Sequence, residues 1–272
     1  MPRLSLCMKD ASDFWNALAP YHAEIEDNYF DLTSIRRLIK HIRPPVLVVG
    51  AGQGLIVAEL LKKGFPCDGV DLSAEMVRHA KLRRGITLVH ADAMAMPFPP
   101  NSYETILFAT GVVDFTTDED AIRLLLVEGK RVLKQPGNIF VAFYKFSDAQ
   151  ESFLARVGLL SNGEVALRQS FELYLLNSRQ MLHWVAARAR LSRFQAMLAL
   201  LRLSALCTMH ERRMTLRLRR IFRRMPEPRA LINAAPEKQP YRNEREINNL
   251  FKRLAVPIEQ FSVFKSCCIV RI

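Results

Sequence analysis

The segment from Val46 to Asp71 constrains the fold of this 272-residue chain more than any other. Four consecutive apolar residues, Val46–Val49, lead into the glycine-rich turn Gly50-Ala51-Gly52-Gln53-Gly54, which is followed by a helical pattern and a second short strand ending at Asp71. A buried strand, a glycine turn, a helix and a strand with an acidic end form one half of a nucleotide-binding βαβ unit. The sequence therefore predicts an α/β fold with parallel strands.

The glycine turn and Asp71 suit a ligand that contains a ribose. Glycines allow backbone torsions that side chains forbid, and they let the main chain approach a ligand closely. Asp71 lies about twenty residues after the first glycine, where an acid can accept hydrogen bonds from both ribose hydroxyls. The third glycine comes one residue earlier than in the dinucleotide pattern G-x-G-x-x-G. The alternative interpretation is that the glycines form only a tight turn.

The chain after Asp71 continues the alternation of strands and helices. Ser73 is a good N-cap for a helix to about Arg83, and Ile86–His90 has the composition of a third strand. The run from Ala91 to Glu104 then reads A-D-A-M-A-M-P-F-P-P-N-S-Y-E. An aspartate at this place, Asp92, is either a turn residue or a ligand for a nucleoside.

These motifs together resemble the class I S-adenosylmethionine-dependent methyltransferases, closest to the quinone-biosynthesis C-methyltransferases and their small-molecule relatives. The resemblance implies a Rossmann-like, seven-stranded, mostly parallel sheet with helices on both faces, and S-adenosylmethionine as cofactor. It implies that Asp92 accepts from the adenine amino group and that the N–H of Ala93 donates to a ring nitrogen. The cofactor-binding residues that it implies are Gly50, Ala51, Gly52, Gly54, Asp71, Leu72, Met76, Asp92, Ala93, Met94, Ala109 and Thr110.

The remaining core elements also follow this family. The sequence predicts a fourth strand at Thr105–Ala109 and an exit loop of small residues that lets the methionine part of the cofactor pass. Thr116 and Glu119 have the spacing of a capping box, which predicts a helix from there to about Leu133. The turn Pro136-Gly137-Asn138 is predicted to lead into a fifth strand, Ile139–Tyr144.

Both ends of the chain have counterparts in the family. At the N-terminal end, helices are predicted from about Ala11 to Ile42, and Trp15 followed by Tyr21 resembles the family segment that folds over the cofactor. The alternative is an amphipathic helix that covers the sheet. At the C-terminal end, Asn243 caps a predicted helix to Leu254. Two strands that would complete the sheet as an antiparallel hairpin follow, at roughly Ile258–Phe264 and Cys267–Arg271.

The implied reaction is an in-line displacement at the sulfonium methyl group, for which positioning supplies most of the catalysis. The sequence has no Ser-His-Asp or paired-carboxylate pattern. General-base candidates, none singled out by spacing, are Tyr21, His22, Asp114, Tyr144 and His183. Two positions depart from the family: Val48 stands where an acid usually organises the methionine end of the cofactor, and Glu104 stands where Asp is common.

Residues 146–240 interrupt the predicted core of residues 1–145 and 241–272. The insertion shows no strand pattern from Leu159 to Arg224, and three or four helices are expected there. Arg179–Arg229 contains thirteen arginines, no lysine and two acidic residues, a net charge of +11 in a chain of +12. Phe194–Met209 contains one charged residue, Arg202, but is too short and too interrupted to span a membrane. A two-faced helix follows, with Met214, Leu218, Ile221 and Met225 opposite a stripe formed by Arg213, Arg217, Arg220 and Arg224.

Three interpretations of the insertion remain open. Residues 194–225 suit an anionic membrane surface, with apolar residues inserted and arginines on headgroups. A helical lid over a hydrophobic acceptor is the second. Binding to RNA phosphates is the third, although RNA-binding segments usually have lysines and exposed aromatic residues as well.

Composition limits the other classes of function. Half of the residues are apolar, which allows a full core, and no N-terminal signal peptide is visible. The five scattered cysteines have no C-x-x-C pair, so neither a zinc site nor a disulfide framework is expected, and a reducing cytoplasm is the simpler location. We therefore expect a cytoplasmic methyltransferase, peripherally membrane-associated, with a hydrophobic or lipid-like acceptor. The alternatives are an RNA methyltransferase and a non-catalytic cofactor-binding scaffold.

Overall fold

The computed structural model describes residues 2–29, 37–206, 209–264 and 267–272. The chain divides into two compact units. The core unit comprises Met1–Lys145 and Arg242–Ile272, and the helical unit comprises Phe146–Tyr241. The helices expected between Ala11 and Ile42 lie partly outside the described residues, since residues 30–36 are not among them.

Helices occur in both units, and a 3₁₀ turn at Ile39–His41 precedes the first strand. Within the described residues, the α-helices in chain order are α1 (Pro2–Tyr29), α2 (Leu55–Lys62), α3 (Ala74–Arg84), α4 (Glu119–Val132), α5 (Asp148–Arg156), α6 (Leu167–Glu172), α7 (Ser178–Arg188), α8 (Arg193–Leu206), α9 (Met209–Arg224), α10 (Pro228–Ala234) and α11 (Glu244–Arg253). None of these helices has an apolar stretch long enough to cross a bilayer.

The strands belong to two sheets, one in each unit. They are β1 (Val46–Val49), β2 (Cys67–Asp71), β3 (Val89–His90), β4 (Tyr103–Phe108), β5 (Leu133–Tyr144), β6 (Leu160–Ser161), β7 (Glu164–Val165), β8 (Gln239–Pro240), β9 (Gln260–Val263) and β10 (Cys267–Arg271).

The described part of the core unit contains a seven-stranded sheet with the order β3-β2-β1-β4-β5-β10-β9. The pairs between β3, β2, β1, β4 and β5 are parallel, while β10 runs antiparallel to β5 and to β9. β2 and β3 lie on one side of β1 while β4 and β5 lie on the other, which creates a topological switch point between β1 and β4. This is the predicted fold class, and the expected C-terminal hairpin completes it.

Alternate residues of the central strands face two separate apolar clusters. On one face, Leu47 and Phe108 pack with residues of α4 and α11. On the other face, Val48 and Leu107 pack with residues of α2 and α3. The central strand β1 is thus covered by helices on both sides, which is why it is apolar throughout rather than alternating.

Three local predictions for the core are wrong. The third strand is only Val89–His90, because pairing with β2 is limited to two residues. Asp118, not Thr116, caps α4: its side chain accepts from the N–H of Asp120, whereas the Thr116 hydroxyl donates to the Val112 carbonyl. Pro136 and its neighbours do not form a turn before β5 but lie within it, where a shift in register against β4 accommodates the proline and Gly137.

The helical unit contains a small sheet that the sequence did not reveal. β6 and β7 form an antiparallel hairpin, and β8 pairs with β7 from far along the chain. The expectation of no strand in this region is therefore wrong. Among the described residues, four helices (α6 to α9) lie between Leu159 and Arg224, which agrees with the expected number, and Val157, Leu173, Val185 and Ala196 belong to one apolar cluster of the helical unit.

The apolar side of α9 faces the interior of the helical unit. Leu218, Ile221 and Phe222 are fully or almost fully buried, and the Phe222 ring lies against the rings of Phe171 and Tyr174. Arg219 also donates to the Leu176 carbonyl at 3.2 Å. This corrects the expectation that the apolar face of this helix inserts into lipid, since its side chains already pack within the protein. The side chain of Met214, and residues 207–208, lie outside the described part of the chain.

Candidate functional site

The loops that follow β1, β2, β3 and β4 meet at one edge of the core sheet. Because these strands are parallel, their carboxyl ends all lie at this edge. Backbone bonds join the loops: the N–H groups of Gly50 and Ala51 donate to the Val70 carbonyl, the N–H of Ala91 donates to the Asp71 carbonyl, and that of Ala109 donates to Val49. The edge is therefore one continuous site in the core unit.

The glycine turn has a backbone that only glycine adopts comfortably. Gly50 has a φ of +71°, and a Cβ added to it would lie 2.2 Å from Cγ2 of Val112. Gly54 has a φ of +79° and occupies the N-cap position of α2. The turn is thus held close to the loop after β4, and it leads directly into the N-terminus of α2, an end that favours negative or electron-rich groups.

Asp71 connects the glycine turn to the loop after β2. Its Oδ2 accepts from the N–H of Gly52 at 2.7 Å, and its Oδ1 accepts from the N–H of Ser73 at 2.9 Å. An ionised carboxylate has about four lone-pair positions, so each oxygen can still accept one more bond. Burial raises the pKa of Asp71 to about 6, although the two N–H bonds and nearby His90 act in the opposite direction. The group is ionised at neutral pH and ready to accept from two donors.

The loop after β3 contains Asp92, Ala93 and Met94. Oδ1 of Asp92 accepts from the N–H of Met94 at 2.8 Å, and the Asp92 carbonyl accepts from Ala95 at 3.0 Å. All three residues are partly exposed. Asp92 is thus a turn residue, as the plainer interpretation expected, and its other oxygen remains able to accept a further bond.

An ion pair on α4 holds the next part of this loop. Oε1 of Glu128 accepts from the N–H of Met96 and from Arg131, both at 2.7 Å. Arg131 also donates to the carbonyls of Met96 and Phe98. The hydrogen bond and charge of Arg131 lower the pKa of Glu128, so the pair is ionised wherever the protein is folded near neutral pH.

The loop after β4 is held by a buried carboxylate. Oδ2 of Asp114 accepts from the N–H of Gly111 at 3.1 Å and from the N–H of Tyr144 at 3.2 Å, which connects this loop to the end of β5. Burial raises the pKa of Asp114 to about 6, while these bonds and nearby Arg242 act to lower it. Burial and the charge of Asp114 raise the pKa of the Tyr144 phenol, which hydrogen-bonds to Thr110. Tyr144 is therefore a neutral phenol at the edge where Ala109 and Thr110 lie.

Helix α1 lies across this edge of the sheet. Oδ1 of Asn16 accepts from the Ser73 hydroxyl at 2.7 Å and from the N–H of Glu75 at 3.2 Å. The Trp15 ring lies 3.3 Å from the position of a Cβ on Gly111. Within the same helix, the carbonyl of Ala19 accepts a hydrogen bond from the side-chain amide of Gln53 in the glycine turn. α1 thus contacts the loops after β1, β2 and β4.

The proposed general bases are placed differently from one another. His22 lies on α1, its Nδ1 has no hydrogen-bond partner among the described residues, and burial together with the charge of Arg84 lowers its pKa to about 4. It is a neutral imidazole at physiological pH. Tyr21 is its partly exposed neighbour. Asp114 and Tyr144 are brought together at the sheet edge, whereas His183 is exposed on α7 of the helical unit.

The cofactor-binding residues expected from the resemblance are brought together in this edge, but they are not equally accessible. Asp71, Leu72 and Asp92 are partly exposed, whereas the Met76 side chain has a relative exposure of 1%. The N–H of Met76 donates to the Ser73 hydroxyl at 3.1 Å, so this residue contributes the N-terminal turn of α3. Val48, which stands where the family usually has an acid, is fully buried in the apolar cluster that contains Leu107.

Sequence reasoning missed Asn16, Gln53, Glu128 and Arg131. The i, i+3 spacing of Glu128 and Arg131 on a predicted helix indicates an ion pair, but not that both side chains reach the Met96–Phe98 loop. Asn16 and Gln53 act across 57 and 34 residues of sequence, respectively. A local sequence pattern cannot predict contacts between residues that are so far apart in the sequence.

Comparisons with known proteins agree with this geometry. Residues 46–137 match the family model described as a methyltransferase domain. The ubiquinone/menaquinone biosynthesis C-methyltransferase of Pseudomonas fluorescens (strain SBW25) is 31% identical over 122 residues, covering 41% of this chain and 45% of that protein. The demethylmenaquinone methyltransferase of Corynebacterium urealyticum is 30% identical over 120 residues, covering 43% of this chain and 49% of that protein. The matched segment thus spans less than half the length of these curated relatives.

A solved structure extends the likeness of the fold beyond that segment. The structure described as a SAM-dependent methyltransferase from Methanosarcina mazei aligns with a TM-score of 0.53 at 13% identity, covering 86% of this chain and 95% of that one. At this identity the likeness shows the fold alone. Residues 46–137 are thus those of a class I S-adenosylmethionine-dependent methyltransferase domain, with distant homology to the ubiquinone and menaquinone C-methyltransferases.

Proposed function

We propose that this protein is an S-adenosylmethionine-dependent methyltransferase whose acceptor is a hydrophobic small molecule. The observation that supports it most is the geometry of Asp71, which is fixed by two backbone N–H groups and keeps two free acceptor positions. Two vicinal ribose hydroxyls are the pair of donors that such a carboxylate binds.

The residues of the edge fit an adenosine with a methionine tail. Asp71 binds the ribose, and the free oxygen of Asp92 with the N–H of Ala93 binds the adenine edge. Gly50, Ala51, Gly52 and Gly54 present backbone to the cofactor, and a Cβ on Gly50 would collide with Val112, so only glycine fits at that position. Leu72 and Met94 contribute apolar contacts to the adenosine, and the buried Met76 supports the N-terminal turn of α3. Ala109 and Thr110 are small and leave a slot for the methionine part of the cofactor.

The chemistry is a displacement in which the acceptor nucleophile forms a bond to the methyl carbon as the carbon–sulfur bond breaks. The bound cofactor supplies the activated methyl group, so this chain mainly binds, orients and excludes water. Tyr144 and Asp114 are the candidates nearest in sequence to the methionine slot. A neutral phenol with a raised pKa donates a hydrogen bond to an acceptor oxygen rather than removing a proton.

The hydrophobic acceptor is proposed on two grounds. The curated relatives of residues 46–137 include proteins named as acting in ubiquinone and menaquinone biosynthesis. The helical unit is rich in apolar and arginine residues, which suits a role in contacting the acceptor or the anionic membrane that contains it.

Transfer of labelled methyl from S-adenosylmethionine tests this proposal. The purified chain is incubated with the labelled cofactor and, in parallel, with demethylmenaquinone-type quinones, a total lipid extract and total RNA. We expect label in the organic phase, and its loss in the Asp71→Ala variant. Cofactor binding without label in any organic acceptor would instead support the scaffold, to which Val48 in place of an acid points. Label in RNA alone would show that the acceptor class is wrong.

A further inference from the structure

We propose that the outward face of α8 is a docking surface for an anionic lipid bilayer. Phe194, Met197, Leu198 and Leu201 are all exposed, with relative exposures of 64%, 40%, 37% and 58%. Their spacing is i, i+3, i+4 and i+7, which places them on one side of an α-helix. We call these four residues the α8 stripe.

The opposite side of the same helix is already used by the fold. Ala196 is fully buried and Leu200 packs against the cluster that contains Val157 and Val185. The position of the stripe is therefore fixed: α8 cannot rotate to bury it without exposing Ala196 and Leu200. Four large apolar side chains remain in contact with water, which monomeric proteins rarely allow in one patch unless it is an interaction site.

Charge identifies the partner. Arg193 and Arg202 are exposed on α8, one on each flank of the stripe by helical geometry. α9 contributes further exposed arginines on the side opposite its buried face, namely Arg213, Arg217, Arg220, Arg223 and Arg224. An apolar stripe with arginines beside it matches an anionic bilayer. The apolar side chains insert among the acyl chains, and the guanidinium groups donate hydrogen bonds to the lipid phosphates.

Other occupants fit these residues less well. A second copy of this chain, paired through the same surface, would bring two arginine-rich segments of net charge +11 together. A single-stranded nucleic acid is bound by stacking on aromatic side chains, but the stripe has one aromatic and three aliphatic residues. The bilayer uses both the apolar and the basic groups.

This assignment is narrower than what the sequence pattern indicates. The pattern marks residues 194–225 as a whole, but Leu218, Ile221 and Phe222 of α9 are buried inside the helical unit. In the structure it is α8 that leaves an apolar stripe exposed, with Arg193 and Arg202 on its flanks. The surface extends the proposed function, because a bilayer is where a lipid-like acceptor resides, but it requires no cofactor to act.

Flotation of the full chain with vesicles tests the proposal without cofactor or acceptor. Vesicles of phosphatidylglycerol and phosphatidylcholine are compared with vesicles of phosphatidylcholine alone. We expect binding to the anionic vesicles, weaker binding as salt increases, and a loss on the order of tenfold or more in the Phe194→Asp/Leu201→Asp variant. Arg193→Glu/Arg202→Glu should reduce binding several-fold, since each basic residue near the surface contributes separately.

The matched control is Leu82→Asp/Val127→Asp, which changes two apolar residues of the core unit with relative exposures of 67% and 63%. This control should bind vesicles as the parent does. Circular dichroism and the thermal midpoint should show that the control and the Phe194→Asp/Leu201→Asp variant are both folded. If the α8 variant is misfolded, the milder Phe194→Ser/Leu201→Ser is compared in its place.

Four results would overturn the proposal. These are a parent chain that does not float, equal binding by the stripe and control variants, RNA retention without vesicle binding, and a dimer in light scattering that the stripe variant abolishes. Because the flotation experiment contains neither cofactor nor acceptor, a negative flotation result would not count against methyl transfer. A negative methyl-transfer result would likewise not count against vesicle binding.

Discussion

Gly52 donates its backbone N–H to Oδ2 of Asp71 over 2.7 Å, which joins the glycine turn after β1 to the carboxyl end of β2. The second oxygen is held in the same way by the N–H of Ser73, the N-cap of α3. Asp71 therefore has two tasks: it fixes the relation between two loops, and it offers its remaining lone pairs to a ligand.

Cofactor affinity should fall as pH decreases through about 6. Burial raises the pKa of Asp71 to about 6, so the carboxylate loses its charge below that pH and one oxygen becomes a donor. If only the ionised form binds, the dissociation constant should increase about tenfold between pH 7 and pH 5. Isothermal titration with S-adenosylmethionine across this range measures it.

The control for this prediction is Asp71→Asn, which has the same shape and no titration. The variant also corrects for protonation of the cofactor itself. Its affinity should be lower than that of the parent at pH 7 and nearly constant down to pH 5. A parent curve parallel to that of the variant would mean that Asp71 does not titrate in the binding step.

Gly50→Ala should destabilise the core unit by more than backbone strain alone. The added Cβ would lie 2.2 Å from Cγ2 of Val112 at a position where φ is +71°. The matched control is Gly64→Ala, where φ is +81° and no atom lies within 4 Å of the added Cβ. We expect about 1 kcal/mol for the control, and at least about 1–3 kcal/mol more for Gly50→Ala from overpacking. Urea unfolding of both variants measures the difference.

The collision with Val112 has its own test. In Gly50→Ala/Val112→Ala the two methyl groups of Val112 are absent, so the double variant should recover part of the stability lost by Gly50→Ala. The interaction free energy in this double-mutant cycle should be favourable by about 0.5–3 kcal/mol. Strictly additive losses would show that Val112 is not the obstacle.

Asp114 should make the protein less stable as pH increases from about 4 to about 6. Its pKa is raised from 3.8 to about 6 by burial, so the folded state binds more protons than the unfolded state in that window. The free energy of unfolding therefore falls as pH rises through it and is constant above. For this nearly fully buried group the effect is on the order of 3 kcal/mol.

Asp114→Asn removes this titration while leaving an amide oxygen to accept from Gly111 and Tyr144. Urea unfolding at a series of pH values should show a smaller decrease in stability between pH 4 and pH 6 for the variant than for the parent. Asp120→Asn, an exposed acid on α4 with a side-chain exposure of 86%, serves as the control and should leave the profile unchanged. A profile that Asp114→Asn leaves unchanged would contradict the assignment.

The sequence predicts those parts of the core in which local pattern and tertiary structure agree. Val46–Val49, the glycine turn and the caps of α3 and α11 combine a short apolar run or a capping side chain with a nearby partner, as Ser73 with Met76 and Asn243 with Glu246. The prediction for Thr116 is wrong because two residues have capping side chains close together, and Asp118 is the one that reaches an N–H of the first turn.

Features that depend on distant residues could not be predicted. β7 pairs with β8 across more than seventy residues, and the register shift of β5 becomes visible only against β4. The periodicity of α9 correctly indicates an apolar face, but periodicity cannot tell whether Phe171 and Tyr174 or a bilayer covers it. In the site, Asp71 and the glycines follow from spacing, whereas Asn16 reaches Ser73 from a helix 57 residues away.

Titration of the purified chain with S-adenosylmethionine, in the parent and in Asp71→Ala, tests the central claim most directly. We expect one site per chain in the parent. In the variant we expect an affinity lower by roughly tenfold or more, because hydrogen bonds to a charged group contribute about 1.5–3 kcal/mol. Asp120→Ala should bind like the parent. No binding by the parent, or equal affinity in parent and Asp71→Ala at unchanged thermal stability, would contradict the claim that Asp71 holds the cofactor.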